Sequence, residues 1–285
     1  MRVGDVAEPV VGVGHVLIEV HHASLNSGDL NDARSGRVPP GAVLGSDAAG
    51  VVLRADDGGT ALGTRVVALA PGAFAERIVA DRASIAEVPP TVDLAHAAAL
   101  PVAGVAALRA LRAVGSSRDR RVLITGASGG VGRFAVRIAS IGGGHVIASV
   151  GSTARGEGLT MLGADEVVVG LDGLDEPVDV VVDTVGGPQL VAAWQLLAPG
   201  GSLQSVGWSA GEPAVFPPYS TIGPPKSLTS VLIEGRSPRR WRPSCGWSMT
   251  ESCVSTSAGA GNWSGSPMPP RPCAPGASTA RPSWT

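Results

Sequence analysis

The chain has 285 residues, enough for two modest domains that each bury a core. A formal charge of −2 leaves no basic footprint for nucleic acid and no polybasic patch for a membrane surface, so small molecules are the expected partners. No apolar run reaches the roughly 20 residues that span a bilayer, and the start lacks a charged segment followed by a hydrophobic block, so a cytoplasmic protein is expected.

From Met1 to about Val92 the sequence alternates short strand patterns with turn residues, in "HVLIEVHHASLN", "AAGVVLRA", "TRVVALA" and "AFAERIVA". That pattern predicts a small, irregular β-domain over residues 1–95. His21 and His22 are adjacent on a predicted strand, so they point to opposite faces and cannot chelate together. Cys245, Cys253 and Cys273 are the only cysteines, which leaves residues 1–244 with no thiol for a disulfide or a thiolate metal site.

Apolar residues then take helical spacing across Ala97 to Leu111, which predicts a helical bridge. Beyond it, "RVLITGASGGVGRFAVRIAS", "HVIASVGS", "EGLTMLGA", "DEVVVG", "VDVVVDTVGG", "PQLVAAWQLLA" and "GSLQSVGW" follow one another. Continuous β-branched runs alternating with amphipathic helices are what a parallel sheet covered on both faces requires. Residues 96–235 therefore read as an α/β, doubly wound dinucleotide fold.

In "VLITGASGGVG" a buried strand, Val122 to Thr125, runs into a glycine-rich turn, and a helix begins at about Val131. Gly126 and Gly129 permit the tight turn, Gly130 lets the backbone approach a pyrophosphate, and Gly132 allows close helix-to-strand packing. With Ala127, Ser128 and Val131 these residues form the expected phosphate site, at a helix start that offers free N–H groups and a positive dipole end. An acid at the end of the second strand would hold a ribose 2′-hydroxyl, but that strand ends "ASVGSTAR". Ser152 and Arg155 stand there instead and suit a 2′-phosphate, so NADP is the expected cofactor. Val185 and Gly207 complete the cofactor-binding set.

The order of motifs over residues 1 to about 235 resembles the medium-chain dehydrogenase/reductase superfamily. The resemblance is carried by "SLNSGDL", "PGAVLGSDAAGVV", "LGTRVVAL", "GAFAERIVA", "AAALPVAGVAALRAL", "GASGGVG", "LGADEVV" and "VDTVGG". It implies a Rossmann sheet behind a GroES-like first domain. Zinc alcohol dehydrogenases of that superfamily carry a Cys near "SLNSGDL" and a Gly-His-Glu triplet where this chain has Gly45-Ser46-Asp47. Here Ser27 or a neighbour replaces the Cys, and no metal ligands are expected. The resemblance thus implies the zinc-independent branch, similar to quinone oxidoreductases and enoyl reductases, and a homodimer formed through an edge strand. A short-chain dehydrogenase would need a Tyr followed four residues later by a Lys. The only tyrosine is Tyr219 and the only lysine, Lys226, lies seven residues on.

Without a metal, orientation and hydrogen bonding to a developing oxyanion carry the chemistry. Asn26 lies where the superfamily places a polar residue near the nicotinamide, and its amide can donate to a carbonyl. Asp29 reads as a turn or helix cap, and Asp47 as an organiser of its loop. Tyr219 and Lys226, in the Pro-rich "FPPYSTIGPPKSL", are candidate proton donors if that loop passes near the cofactor.

From about Arg236 the character changes: residues 236–285 contain no Leu, Ile or Phe but four of the six tryptophans. Neither a packed domain nor a linker has that composition. Reading the segment one base out of register restores an amphipathic helix and a closing "GKAVL"-type strand, so a frameshifted, poorly ordered tail is expected. The function expected is NADPH-dependent reduction of a quinone, enone or other conjugated carbonyl. A non-catalytic or inactivated NADP-binding protein is the alternative, and a zinc-type alcohol dehydrogenase ranks third.

Overall fold

A computed structural model describes residues 3–35, 38–56 and 59–233. The expected tail, residues 236–285, lies outside the described residues. The first sheet is built from β1 (His15–Ser24), β2 (Asp47–Ala55), β3 (Arg65–Leu69), β4 (Arg77–Asp81) and β5 (Ile85–Glu87), in the order β4-β1-β2-β3-β5. Every pairing in it is antiparallel. The period-2 pattern sends Val16, Ile18, Val52, Val66 and Ile78 into one core on one face. Ala49 and Val67 turn the other way, onto Val88, Val92 and Leu94. A short helix, α1 (Ser27–Ser35), leaves the end of β1.

The bridge to the second unit is broken where the spacing predicted one helix. It consists of α2 (Leu94–Ala97), a wider helical turn over Leu100–Gly104, and α3 (Val105–Ala113). Pro101 lies at the start of that wider turn, and its missing N–H interrupts the regular ladder.

The second sheet contains β6 (Arg121–Thr125), β7 (His145–Val150), β8 (Glu166–Val169), β9 (Val178–Asp183), β10 (Leu197–Ser205) and β11 (Ser227–Ser230). Its order is β11-β10-β9-β6-β7-β8, and all five pairings are parallel. Helices α4 (Gly130–Ile141) and α5 (Gly187–Gln195) lie on opposite faces. Val122 and Ile124 pack under α3 and α4, while Leu123 packs with Leu190 and Trp194 of α5. Burial on both faces explains the unbroken β-branched runs. From β6 the chain winds first to β7 and β8 and then back to β9, so a crevice opens between β6 and β9 at the strands' carboxyl ends. Such a reversal is where open α/β sheets bind ligands.

Two connections differ from expectation. "EGLTMLGA" forms turns in place of a helix, because Gly158 (φ 77°) and Gly163 (φ 103°) take backbone values that end helices. The segment after β10 does not stay at the carboxyl ends; it descends along α5, where Phe216 meets Trp194 edge to face with ring centroids 6.0 Å apart.

Candidate active site

The glycine loop joins β6 to α4 at the crevice. Gly126 has φ 62°, and a Cβ on it would stand 2.3 Å from the Thr184 hydroxyl. Ala127 is fully buried, its N–H donating to the Ser149 carbonyl of β7 at 3.0 Å. The Gly129 N–H closes the turn on the Gly126 carbonyl at 2.9 Å, and Arg133 N–H makes the first helical bond, to Gly129. The N–H groups of Gly130, Val131 and Gly132 thus form the unpaired first turn of α4. Gly129, the N-cap, offers no side chain to satisfy them. A Cβ on Gly132 would lie 2.4 Å from the Gly126 carbonyl oxygen and 2.6 Å from Ala127 Cα, so only glycine brings the helix this near the loop. Ser128 lies at the tip of the turn, between Ala127 and the N-cap. This cradle of bare main chain, at the positive end of a 12-residue helix, fits a pyrophosphate.

A buried carboxylate that sequence reasoning missed ties β6 to the turn after β9 beside the loop. Asp183, at the end of β9, accepts from the Thr125 hydroxyl at 2.5 Å, from Gly186 N–H at 2.9 Å and from Val185 N–H at 3.4 Å. Burial pushes its carboxyl above the usual range, while these donors pull it back. Thr184 completes the clip, its hydroxyl donating to the Thr125 carbonyl at 2.8 Å. Val185 and Gly207 flank this clip: Val185 lies against Gly126, and Gly207 N–H donates to the Asp183 carbonyl at 3.2 Å. Trp208, which sequence reasoning did not single out, covers Gly186 and donates through its indole to the Glu212 carbonyl at 2.6 Å.

At the end of β7, Ser152 and Arg155 are exposed, in the turn that follows Gly151. The Arg155 guanidinium stands beside that glycine, 4.0 Å from where its Cβ would be. A cation and a hydroxyl therefore occupy the rim where a ribose-binding acid would stand.

Asn26, at the end of the turn leaving β1, caps α1. Its side-chain oxygen accepts from Asp29 N–H at 3.1 Å, and the Asp29 carboxylate accepts from Asn26 N–H at 2.9 Å, a reciprocal box that fixes both residues. The Asn26 amide nitrogen donates to Asp47 at 3.0 Å, and the Ser46 hydroxyl donates to Asp29 at 2.9 Å. Asp47, 1 % exposed, also accepts from Val102 N–H at 2.6 Å. Its burial, reinforced by the charge of Asp29 and only partly offset by these two donors, pushes its carboxyl up to about 7. One amide hydrogen of Asn26 remains for an outside acceptor.

Tyr219 and Lys226 are not brought to this crevice, which corrects their candidacy as proton donors. Lys226 donates to the carbonyls of Trp194 and Gln195, at the last turn of α5, and directly precedes β11. Helix α5 runs opposite to the strands, so both contacts lie at the amino end of the sheet. Tyr219 is 81 % exposed, next to Ser220, whose carbonyl accepts from the Trp194 indole. The loop carries both residues away from the phosphate site because Ala214 and Phe216 are drawn onto the apolar face of α5.

The two units thus define a dinucleotide-binding α/β protein with a β-rich partner domain. The family model "Alcohol dehydrogenase GroES-like domain" matches residues 12–90, and the model "Zinc-binding dehydrogenase" matches residues 130–247. Prostaglandin reductase-3 of Mus musculus is 32 % identical over 224 residues, covering 73 % of this chain and 59 % of that protein. The chain spans only 10 % of a polyketide synthase subunit of Mycobacterium tuberculosis, to which it is 34 % identical over 212 residues. The solved quinone oxidoreductase of Coxiella burnetii superposes with a TM-score of 0.71 at 27 % identity, covering 82 % of this chain and 79 % of that one. Mycobacterial Rv1454c complexed with NADPH gives a TM-score of 0.73 at 28 % identity, over 80 % of this chain and 76 % of that one. The chain belongs to the medium-chain dehydrogenase/reductase family.

Proposed function

We propose that the chain is an NADPH-dependent oxidoreductase that reduces a quinone, enone or other conjugated carbonyl without zinc. The observation that carries this reading is the bare N–H cradle of residues 130–132 with Ser152 and Arg155, and no acid, at the ribose rim. The NADPH-bound relative supports the same cofactor. When bound, NADPH supplies a hydride. The protein's part is to seat the pyrophosphate on the start of α4, to set Arg155 against the 2′-phosphate and to offer the free Asn26 amide hydrogen to a carbonyl oxygen as charge grows on it.

The zinc-free part of the reading rests on donor chemistry. Ser27 or a neighbour, with Ser46 and Asp47, stands where the zinc branch carries its Cys, His and Glu. Among the described residues no three His, Cys, Asp or Glu side chains converge as a metal site. Among the described residues no helix is long and apolar enough to cross a membrane, and a cytoplasmic location accompanies the proposal. A second copy pairing at the outer edge of β11, the end strand of the six-stranded sheet, is the dimer this reading favours.

Fluorescence titration with NADPH and NADH, beside NADPH oxidation with a panel of quinones and enones, tests the proposal. Tighter NADPH binding and turnover are expected. Tighter NADH binding overturns the cofactor, and binding without turnover supports the non-catalytic alternative.

A further inference from the structure

We propose that Asp47 is a positioning residue that keys the Asn26 amide to the phosphate loop, through Val102 and Ala103, across the junction between the two units. This goes beyond the function proposed above and uses its assignment of Asn26 as the substrate-side amide. The orientation of Asn26 is unambiguous. Asp29 N–H can only donate, so the group it meets at 3.1 Å is the Asn26 oxygen, and the amide nitrogen faces Asp47.

Asp47 then spends one oxygen on each unit. Oδ2 accepts from the Asn26 amide at 3.0 Å, and Oδ1 accepts from the Val102 main chain at 2.6 Å, 55 residues further along. The neighbour of Val102 completes the path. The Ala103 methyl lies 3.5 Å from where a Cβ of Gly130 would stand, and Gly130 is the first residue of α4. Gly104 is packed in turn within 3.9 Å of the Phe134 ring of the same helix, measured from its ideal Cβ. From substrate amide to the start of α4 the path is thus two hydrogen bonds and then apolar packing, Ala103 lying against the cluster that contains Phe134 of α4.

A carboxylate is the side chain this geometry needs. Both of its oxygens accept, whereas an Asn of the same shape has one acceptor and must turn its NH2 toward either Val102 N–H or the Asn26 amide. An apolar residue would leave the half-buried Val102 N–H without this partner.

Amide hydrogen exchange on the whole protein provides the test, with Asp47→Asn, Asp47→Ala and Asn26→Ser compared with the parent. Asn26→Ser keeps an N-cap oxygen for α1 but removes the donor to Asp47. Exchange at Val102 should accelerate at least tenfold in both Asp47 variants and stay unchanged in Asn26→Ser, while Ala127, bonded to Ser149 within the dinucleotide unit, stays protected in all. NADPH should slow exchange at Asp29 in the parent, and this remote slowing should vanish in all three variants. With a quinone or enone, kcat should fall at least tenfold in each, with KM for NADPH within twofold.

Unchanged Val102 exchange in a folded Asp47→Ala protein overturns the proposal. So does NADPH-induced slowing at Asp29 that survives in Asn26→Ser, which decides the matter if the Asp47 variants do not fold. If the parent shows no turnover, the functional reading fails, yet the exchange at Val102 still decides the link.

Discussion

Gly132 sits so close under Gly126 that a methyl group on it would stand 2.4 Å from the Gly126 carbonyl oxygen, inside the distance any Cβ tolerates. Loop and helix would have to separate to admit it, and the loop is tied to β7 by the Ala127 bond to Ser149. Gly132→Ala should therefore destabilise the protein by about 1–3 kcal/mol, as overpacking does. Thermal unfolding should show a drop of several degrees. A melting temperature equal to that of the parent would mean that the loop gives way without cost.

Arg155 offers a different kind of test, because it is exposed. Its replacement by Ala should weaken NADPH binding roughly 10- to 100-fold, the value of about 1.5–3 kcal/mol for a charge-assisted hydrogen bond. NADH affinity should stay where it was. Equal losses for both cofactors would place Arg155 outside the 2′-phosphate site.

Asp47 makes stability depend on pH with a definite sign. Its folded carboxyl titrates at about 7 against an ordinary value of 3.8, so between those values the folded state holds a proton that the unfolded chain has lost. Stability should fall as pH rises from about 4 to 7 and level off above. Keeping this one group ionised in its buried place costs on the order of 4 kcal/mol. Asp183, raised in the same direction by burial, adds to the slope. Asp47→Asn should flatten it, as measured by denaturant unfolding across that pH range; an unaltered slope would assign the effect elsewhere.

Tyr219→Phe combined with Lys226→Met should leave turnover within twofold of the parent. Both residues stand at the amino end of the sheet, and Lys226 is engaged with the end of α5. A tenfold loss of kcat would show that one of them reaches the reacting atoms after all.

The glycine loop was legible in the sequence because strand, turn and helix follow within eleven residues and the roles of Gly126 and Gly132 are local and steric. So were the doubly buried strands, since Val122, Leu123 and Ile124 leave no polar face. Asp183 was not, because an acid after "VVV" looks like an ordinary turn residue until Thr125, 58 positions away, is placed beside it. The link from Asp47 to Val102 left no trace for the same reason: a main-chain donor has no residue type. Tyr219 and Lys226 were misjudged because chain order after β10 does not say toward which end of a sheet a long loop runs. Phe216, half-buried against Trp194, sets that direction.

The cradle at the start of α4 is made of peptide groups alone, and peptide groups neither gain nor lose protons in water. The hold proposed for it on a bridging diphosphate is therefore insensitive to acidity in itself, and one source of pH dependence in cofactor affinity lies at the far end of the nucleotide. There, a phosphate monoester with a second ionisation near 6 would face the permanent cation of Arg155.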